Sequence, residues 1–196
     1  MMISKSIYFK NFKIKKKNTK KKIIKKFLKN LILDKNDFNK SLNTSYKKNY
    51  EFKNFKNKLN LRLIGMGGSI LGAKAIHQFL SHKIKRKAQF IDNLTTNNYK
   101  NKKKIINVVI SKSGNTLETL LNASIILKKN DTNIFISEKK NNEITLLAKK
   151  FRSEVIEHNN FIGGRYSVLS EVGMLPAELM GLNPNKFRQL NNIIKN

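Results

Sequence analysis

The chain has 196 residues and no cysteine, which excludes disulfides, thiolate metal sites and a cysteine nucleophile and suits a reducing compartment. Its 41 Lys and Arg residues against 12 acidic residues give a formal net charge of +29. No apolar run approaches the roughly 20 residues of a membrane span, and no secretory signal begins the chain. We therefore expect a cytoplasmic protein without a membrane partner, with one domain and an appendage.

The positive charge is concentrated at the N-terminus, where residues 1–60 contain 19 Lys and three acidic residues. Such a segment can bind nucleic acid or anionic lipid by releasing counterions. However, only five of the 41 basic residues are Arg, and the lysines accompany abundant Asn and Ile, which share AT-rich codons. Genome composition explains such an excess without a polyanion, so nucleic acid is not an expected partner.

The first 60 residues form a lysine-rich N-terminal segment, in which we expect residues 1–19 to be disordered or loosely attached. From Lys20 the apolar residues recur at helical spacing and form one stripe: Ile23, Ile24, Phe27, Leu28, Leu31 and Ile32. This stripe fits a membrane-surface or calmodulin-target helix, or a helix that packs on the following domain, which is the commoner arrangement. Residues 34–58 are predicted to be a loop with a weak helix.

After Asn60 apolar strands alternate with helical patterns, which predicts an α/β domain over residues 61–183 and a tail over 184–196. The predicted strands are Leu61–Ile64, Ala88–Ile91, Ile105–Ile110, Asn133–Ile136 and Glu154–Ile156. The predicted helices are Ile70–Leu80, Thr116–Leu127 and Glu143–Phe151, and the last 20 residues suggest helix, turn, helix. Alternation favours a parallel sheet covered by helices on both faces, but it does not give the strand order.

The predicted helix over Ile70–Leu80 carries one set of apolar residues that we expect to face inward: Ile70, Leu71, Ala75, Ile76 and Phe79.

A first glycine cluster, Gly65-Met66-Gly67-Gly68-Ser69, follows the first of these strands. It fails as a Rossmann turn, because Ile70 stands at the sixth position, and as a P-loop, because Ala73 follows Gly72. Glycines let the backbone turn with its amides forward, and Ser69 adds a hydroxyl at the positive helix end. A simple strand-to-helix turn remains the alternative.

A second cluster follows the buried strand Ile105–Ile110, where Ser111, Ser113 and Thr116 present three hydroxyls around Gly114. A phosphate dianion needs several converging donors, and hydroxyls with helix-end amides supply them. Lys112 either adds charge or is solvated, and each hydroxyl is alternatively a simple N-cap. Because both clusters follow parallel strands, we expect them at one edge of the sheet, where open α/β folds bind ligands.

A third segment is more specific to one protein family than the first two clusters. Its sequence is Gly163-Gly164-Arg165-Tyr166-Ser167-Val168-Leu169-Ser170-Glu171-Val172-Gly173. It resembles a signature of the phosphoglucose isomerase family, and Ser111–Thr119 resembles the phosphate loop of that family's smaller bacterial members. The resemblance covers residues 61 to about 183. It implies a sugar-isomerase (SIS-like) domain of a glucose-6-phosphate isomerase, which interconverts glucose 6-phosphate and fructose 6-phosphate in glycolysis and gluconeogenesis without metal or organic cofactor.

The resemblance also implies roles for individual residues. Ser69, Ser111, Ser113 and Thr116 would hold the sugar phosphate, with Gly68 and Lys112 contributing at the loop backbone. Arg165 would stabilise the negative charge that develops on the enediolate, since a fixed guanidinium near an oxyanion is worth several kcal/mol in a partly dry site.

The family's proton-transferring Glu, its His and a late Lys match no residue of this chain. Glu118, Glu171 and Glu178 match other positions, and His77, His82 and His158 are expected to be structural. The resemblance thus implies the N-terminal half of an isomerase, as a fragment, a truncated product or one piece of a split enzyme. We expect exposed apolar surface near residues 172–182, and a homo-oligomer or a C-terminal half as partner. The alternative is a non-catalytic sugar-phosphate-binding domain.

Overall fold

The computed structural model describes residues 2–4, 7–8, 18–33, 41, 46–51, 60–94 and 104–188. The chain divides into two compact units, residues 1–46 with 185–196, and residues 47–184. Among the described helices, none combines the length and apolar character that a membrane crossing requires.

The first unit begins with two short antiparallel strands, β1 (Met2–Ser4) and β2 (Ile7–Tyr8). These strands contradict disorder for their own residues, whereas loose attachment of residues 1–19 stays a prediction. Helix α1 spans Asn18–Leu33 and confirms the helix predicted from Lys20. Most of residues 34–58 lies outside the described residues, and the described stretch 46–51 contains no helix.

The second unit has the predicted alternation of strands and helices. Its strands are β3 (Asn60–Gly65), β4 (Ala88–Ile91), β5 (Ile105–Ile110), β6 (Thr132–Ser137) and β7 (Glu154–Glu157). Its helices are α2 (Gly68–Phe79), α3 (Leu117–Ile126), α4 (Glu143–Lys150), α5 (Glu171–Leu179) and α6 (Pro184–Phe187), which runs into the first unit. Two 3₁₀ segments, Ser81–Lys83 and Gly164–Leu169, complete it.

The five strands β3–β7 form one parallel sheet in the order β4-β3-β5-β6-β7. This confirms the predicted fold class, a parallel α/β sheet with helices on both faces. The order reverses between β3 and β5, whose last residues, Gly65 and Ile110, are register partners. In open α/β sheets, the crevice at such a reversal is the place where ligands bind.

Side chains that alternate along the strands form one hydrophobic core under α3 and α4. Its buried members are Ile64, Ile91, Val109, Ala123, Ile126, Leu127, Phe135, Ile144 and Ala148. All six residues of β5 are buried, as expected for the central strand of a doubly covered sheet. Helices α2 and α5 pack on each other and on the segment Gly164–Leu169, and we infer that they cover the opposite face.

A rung of polar side chains crosses four strands of the sheet. Gln89, Arg62, Asn107 and Asn133 are successive register partners. Arg62 donates from Nε to Gln89 Oε1 at 3.1 Å and from Nη1 to Asn107 Oδ1 at 3.3 Å, and Asn107 Nδ2 donates to Asn133 Oδ1 at 2.8 Å. Because a slip of one residue would separate these partners, the rung specifies the strand register.

The expected inward face of α2 is confirmed for Ile70 and Ile76 but wrong for its other members, and the apolar surface expected on α5 is wrong as well. Helix α2 buries Ile70, Ala73 and Ile76, while Leu71, Ala75 and Phe79 are exposed, Phe79 by 83%. The apolar surface expected near residues 172–182 is largely covered, because α5 packs on α2 and on the Gly164–Leu169 segment. Exposed apolar side chains lie instead on α2 and on α3, where Leu117, Leu121 and Ile125 share one side.

Candidate functional site

The turn after β3 is shaped by Gly67 and Gly68. Gly67 adopts φ 52°, a left-handed conformation that favours glycine, and immediately precedes α2. A Cβ atom at Gly68 would lie 2.5 Å from the carbonyl carbon of Gly164 and 2.9 Å from the backbone nitrogen of Arg165. Only glycine allows this approach, so Gly68 brings the first motif against the third.

The loop after β5 is held by hydrogen bonds among its own hydroxyl groups. Ser111 is 2% exposed, and its Oγ lies 3.0 Å from Thr116 Oγ1 and accepts the Gly114 N–H at 3.2 Å. The exposed Ser113 accepts the Asn115 N–H at 3.3 Å. The structure therefore brings Ser111 and Thr116 together in a preformed turn, with Ser113 at its rim.

Helix α4 fixes this loop from outside through Asn142, which sequence reasoning missed. The Asn142 side chain lies directly against the Cα of Gly114, so that a Cβ atom at Gly114 could not be accommodated. Gly114 also has a positive φ of 75°. Asn142 also caps α4 by accepting the Thr145 N–H at 2.9 Å, and the first turn of that helix binds back through Ile144 N–H to Gly114 O at 3.0 Å. The Asn-x-x-Thr capping pattern would have indicated the cap but not the contact with the loop.

The four longer helices of the second unit differ in how they begin. Asn142 caps α4 and Ser170 caps α5 with side-chain oxygens. By contrast, the N-cap residues of α2 and α3 are Gly67 and Thr116, and neither forms a side-chain cap hydrogen bond. The Thr116 hydroxyl lies by Ser111 instead, so the interpretation of Thr116 as a simple N-cap is wrong. Both uncapped ends follow β3 and β5 at the strand-order reversal, and each presents the positive end of its helix dipole there. In α2 the Ser69 and Ile70 amides donate to Met66 O and Gly67 O.

Ser69 and Arg165 have side chains available to a ligand. Ser69 lies in the first turn of α2, and no described residue forms a hydrogen bond with its hydroxyl. Arg165 is exposed at the start of the 3₁₀ segment, and its guanidinium pairs with no acidic group in the described part of the chain. Its backbone is fixed by the Gly68 contact and by Ser167, whose Oγ donates to Gly164 O at 2.6 Å.

Lys112 is occupied away from the hydroxyl groups. Its Nζ donates to Asn160 O at 2.8 Å and lies 3.5 Å from Glu138 Oε1. Glu138 also pairs with Lys140, and the hydrogen bond from Lys140 is the main cause that lowers the pKa of Glu138. Lys112 thus ties the second loop to the chain that leads into Gly163 and Gly164.

The three glutamates that the sequence analysis singled out differ in their surroundings. Glu118 is in the first turn of α3 and is partly exposed. Glu171 is buried and accepts the Asn49 N–H at 3.3 Å, and Glu178 accepts from Lys48 Nζ at 3.1 Å and Tyr50 Oη at 3.0 Å.

The histidines make different contacts. His77 meets the Phe90 ring edge-on at 5.2 Å between centroids, and His82 is exposed. His158 is buried, and its burial lowers the pKa of the imidazole. No group of His, Asp or Glu able to hold a metal ion occurs among the described residues.

Comparison with known proteins identifies the family. Residues 18–192 match the family described as phosphoglucose isomerase. The chain belongs to the phosphoglucose isomerase family. Glucose-6-phosphate isomerase of Methanocaldococcus jannaschii is 32% identical over 154 residues, which cover 70% of this chain and 38% of that protein. The chain spans about a third of the length of the curated relatives it matches.

Solved structures support the fold of this phosphoglucose isomerase family member. The hypothetical protein TT0462 from Thermus thermophilus aligns with a TM-score of 0.66 at 18% identity, over 87% of this chain and 47% of that one. Tagatose-6-phosphate ketose/aldose isomerase from Escherichia coli aligns with a TM-score of 0.50 at 15% identity, over 84% of this chain and 46% of that one. Both alignments support the α/β fold with its parallel sheet.

Proposed function

We propose that the domain of residues 61–183 binds the phosphate group of a sugar phosphate between the turn after β3 and the loop after β5. The observation that carries this proposal is that α2 and α3, which begin at the strand-order reversal, lack side-chain caps, whereas α4 and α5 have them. An uncapped N-terminus attracts anions through the helix dipole. At α2 the Ser69 and Ile70 amides already donate to Met66 O and Gly67 O, so the dipole and the neighbouring hydroxyls supply the attraction there. The hydroxyls of Ser69, Ser111, Ser113 and Thr116 supply further donors.

The substrate pair in this proposal is glucose 6-phosphate and fructose 6-phosphate, and the similarity to proteins named glucose-6-phosphate isomerase supports it. Isomerisation moves a proton between two carbons and places negative charge on an enediolate oxygen. In the proposal Arg165 stabilises this charge, since its guanidinium carries a positive charge and pairs with no acidic group among the described residues. For the same reason Arg165 cannot remove a proton from carbon.

The proton-transferring base is proposed to come from outside the described residues. A base needs a carboxylate or an imidazole within reach of the substrate. Glu171 and Glu178 are engaged with residues 48–50, and His158 is buried. A C-terminal half or a second copy would supply the base, and the exposed apolar side chains of α3 offer a surface for it.

Calorimetry with glucose 6-phosphate tests the phosphate site. Replacing Ser111 by Ala and Thr116 by Val removes two donors, each worth about 1.5–3 kcal/mol toward a dianion, so affinity should fall more than a hundredfold. Ser124→Ala is the matched control, because this exposed hydroxyl lies on the same helix, α3, away from the loop. Unchanged affinity of the double variant for glucose 6-phosphate would show that the phosphate group does not bind at this loop.

A second candidate function is a sugar-phosphate-binding domain without catalysis. It is favoured by the engagement of Glu171 and Glu178, the two carboxylates of α5, in contacts with residues 48–50. A coupled assay of fructose 6-phosphate formation distinguishes the two functions. The catalytic proposal predicts turnover once a C-terminal half that carries the base is added, and the binding proposal predicts none.

A further inference from the structure

Helix α1 has two opposite faces between residues 22 and 30. At 3.6 residues per turn, its lysines fall within an arc of about 100°, and its large apolar residues lie on the other side. The lysines are Lys22, Lys25, Lys26 and Lys29, and the apolar residues are Ile23, Ile24, Phe27 and Leu28. We call these two sets the lysine face and the apolar stripe.

The apolar stripe is exposed. Ile23 is 68% exposed, Ile24 57%, Phe27 66% and Leu28 39%. Packing of the stripe on the following domain, the commoner arrangement, stays a prediction. A contiguous exposed apolar surface rimmed by charge marks an interaction site.

The charge of α1 defines its partner further. The helix contains six lysines and no acidic residue. None of the four lysines of the lysine face forms an ion pair with another described residue. The partner must therefore offer apolar material to one side of the helix and negative charge to the other.

An anionic bilayer surface meets both requirements. A helix that lies in the interface buries its apolar side among acyl chains, while long lysine side chains reach the phosphate groups. Nucleic acid would attract the lysine face but leave the apolar stripe in water. We propose that α1 binds the chain to the surface of membranes that contain anionic phospholipid, with the apolar stripe inserted and without crossing the bilayer.

Sedimentation of the full chain with phosphatidylcholine vesicles, with and without phosphatidylglycerol, tests the proposal. We expect binding only to the anionic vesicles. Changing the four lysines of the lysine face to Gln should weaken binding about fivefold per lysine, and on the order of a hundredfold or more together. Ile24→Gln with Phe27→Gln should weaken it on the order of a hundredfold while keeping good helix formers.

A matched control separates the helix from the overall charge of +29. Changing the exposed Lys83, Lys87, Lys129 and Lys149 to Gln removes the same charge outside α1 and should alter vesicle binding less than fivefold. Because the chain has no tryptophan, Phe27→Trp provides a single reporter. Its emission should shift to shorter wavelength on anionic vesicles.

Three results would overturn the proposal. The first is no binding to anionic vesicles. The second is equal weakening by the control lysine set, which would indicate attraction by net charge alone. The third is a pair of observations: the variant with Ile24→Gln and Phe27→Gln binds as tightly as the parent, and the tryptophan emission of the Phe27→Trp variant does not shift. Together they would indicate that the helix binds polyanions such as nucleic acid through its lysines alone.

Discussion

Replacing Gly68 by alanine tests the contact that joins the first motif to the third. The new methyl group would lie 2.5 Å from the carbonyl carbon of Gly164, 2.6 Å from its oxygen and 2.9 Å from the nitrogen of Arg165. All three atoms belong to backbone, which cannot move aside as a flexible side chain does. The turn after β3 and the segment that carries Arg165 must therefore separate.

The matched control is Gly164→Ala, which adds the same methyl group from the other side of this contact. A Cβ at Gly164 would have only the Cα of Gly68 near it, at 4.0 Å. Overpacking costs about 1–3 kcal/mol, whereas Gly→Ala at an unstrained position gains about 0.4–1 kcal/mol through the unfolded state. The two variants should thus differ by about 1.5–4 kcal/mol in free energy of unfolding.

Urea denaturation followed by far-ultraviolet circular dichroism measures this difference, and calorimetry with glucose 6-phosphate measures its effect on the site. We expect Gly68→Ala to be less stable than the parent and to bind more weakly, and Gly164→Ala to bind like the parent and to be slightly more stable. Equal stability of the two variants would refute the close approach of these backbones.

Other predictions concern buried polar groups. Asn107→Leu removes the central member of the polar rung, so that Arg62 and Asn133 lose their hydrogen bonds to this residue. The free energy of unfolding should therefore fall by about 2–6 kcal/mol in the same denaturation assay. Lys112→Met should leave folding largely intact but remove the hydrogen bond from Lys112 to Asn160 O. The backbone amides of residues 159–165 should then exchange their hydrogens with solvent faster. Because burial lowers the pKa of His158, the unfolded state takes up the proton first as pH falls. Stability should therefore decline below the ordinary histidine pKa of about 6.5, and His158→Gln should reduce that decline in urea titrations at several pH values.

The sequence predicted the strands and helices of the second unit because their signals are local. Apolar runs such as Ile105–Ile110 are bounded by glycine and hydroxyl residues, and each boundary fell within two residues of the observed one. The strand order could not be predicted, since pairing between β3 and β5 joins residues 45 positions apart in the chain. The placement of both loops at one sheet edge followed from parallel strands alone.

Sequence patterns were ambiguous where a helix had two apolar faces. Helix α2 carries Ile70, Ala73 and Ile76 at one set of helical spacings and Leu71 and Phe79 at another, and only packing on α5 decides which is buried. Contacts across the site, such as Asn142 against Gly114 or Lys112 with Asn160, were likewise invisible, because they join different elements.

In the proposed site, phosphate binds at the two uncapped helix N-termini after β3 and β5. Titrating ¹⁵N-labelled chain with glucose 6-phosphate, with glucose as the control without phosphate, locates the ligand residue by residue. We expect saturable changes in amide chemical shift that require the phosphate group. The largest changes should fall on residues 66–70 and 113–119, and smaller ones on Gly164 and Arg165. Shifts confined to the lysines of α1, or equal shifts with glucose, would contradict the proposed site.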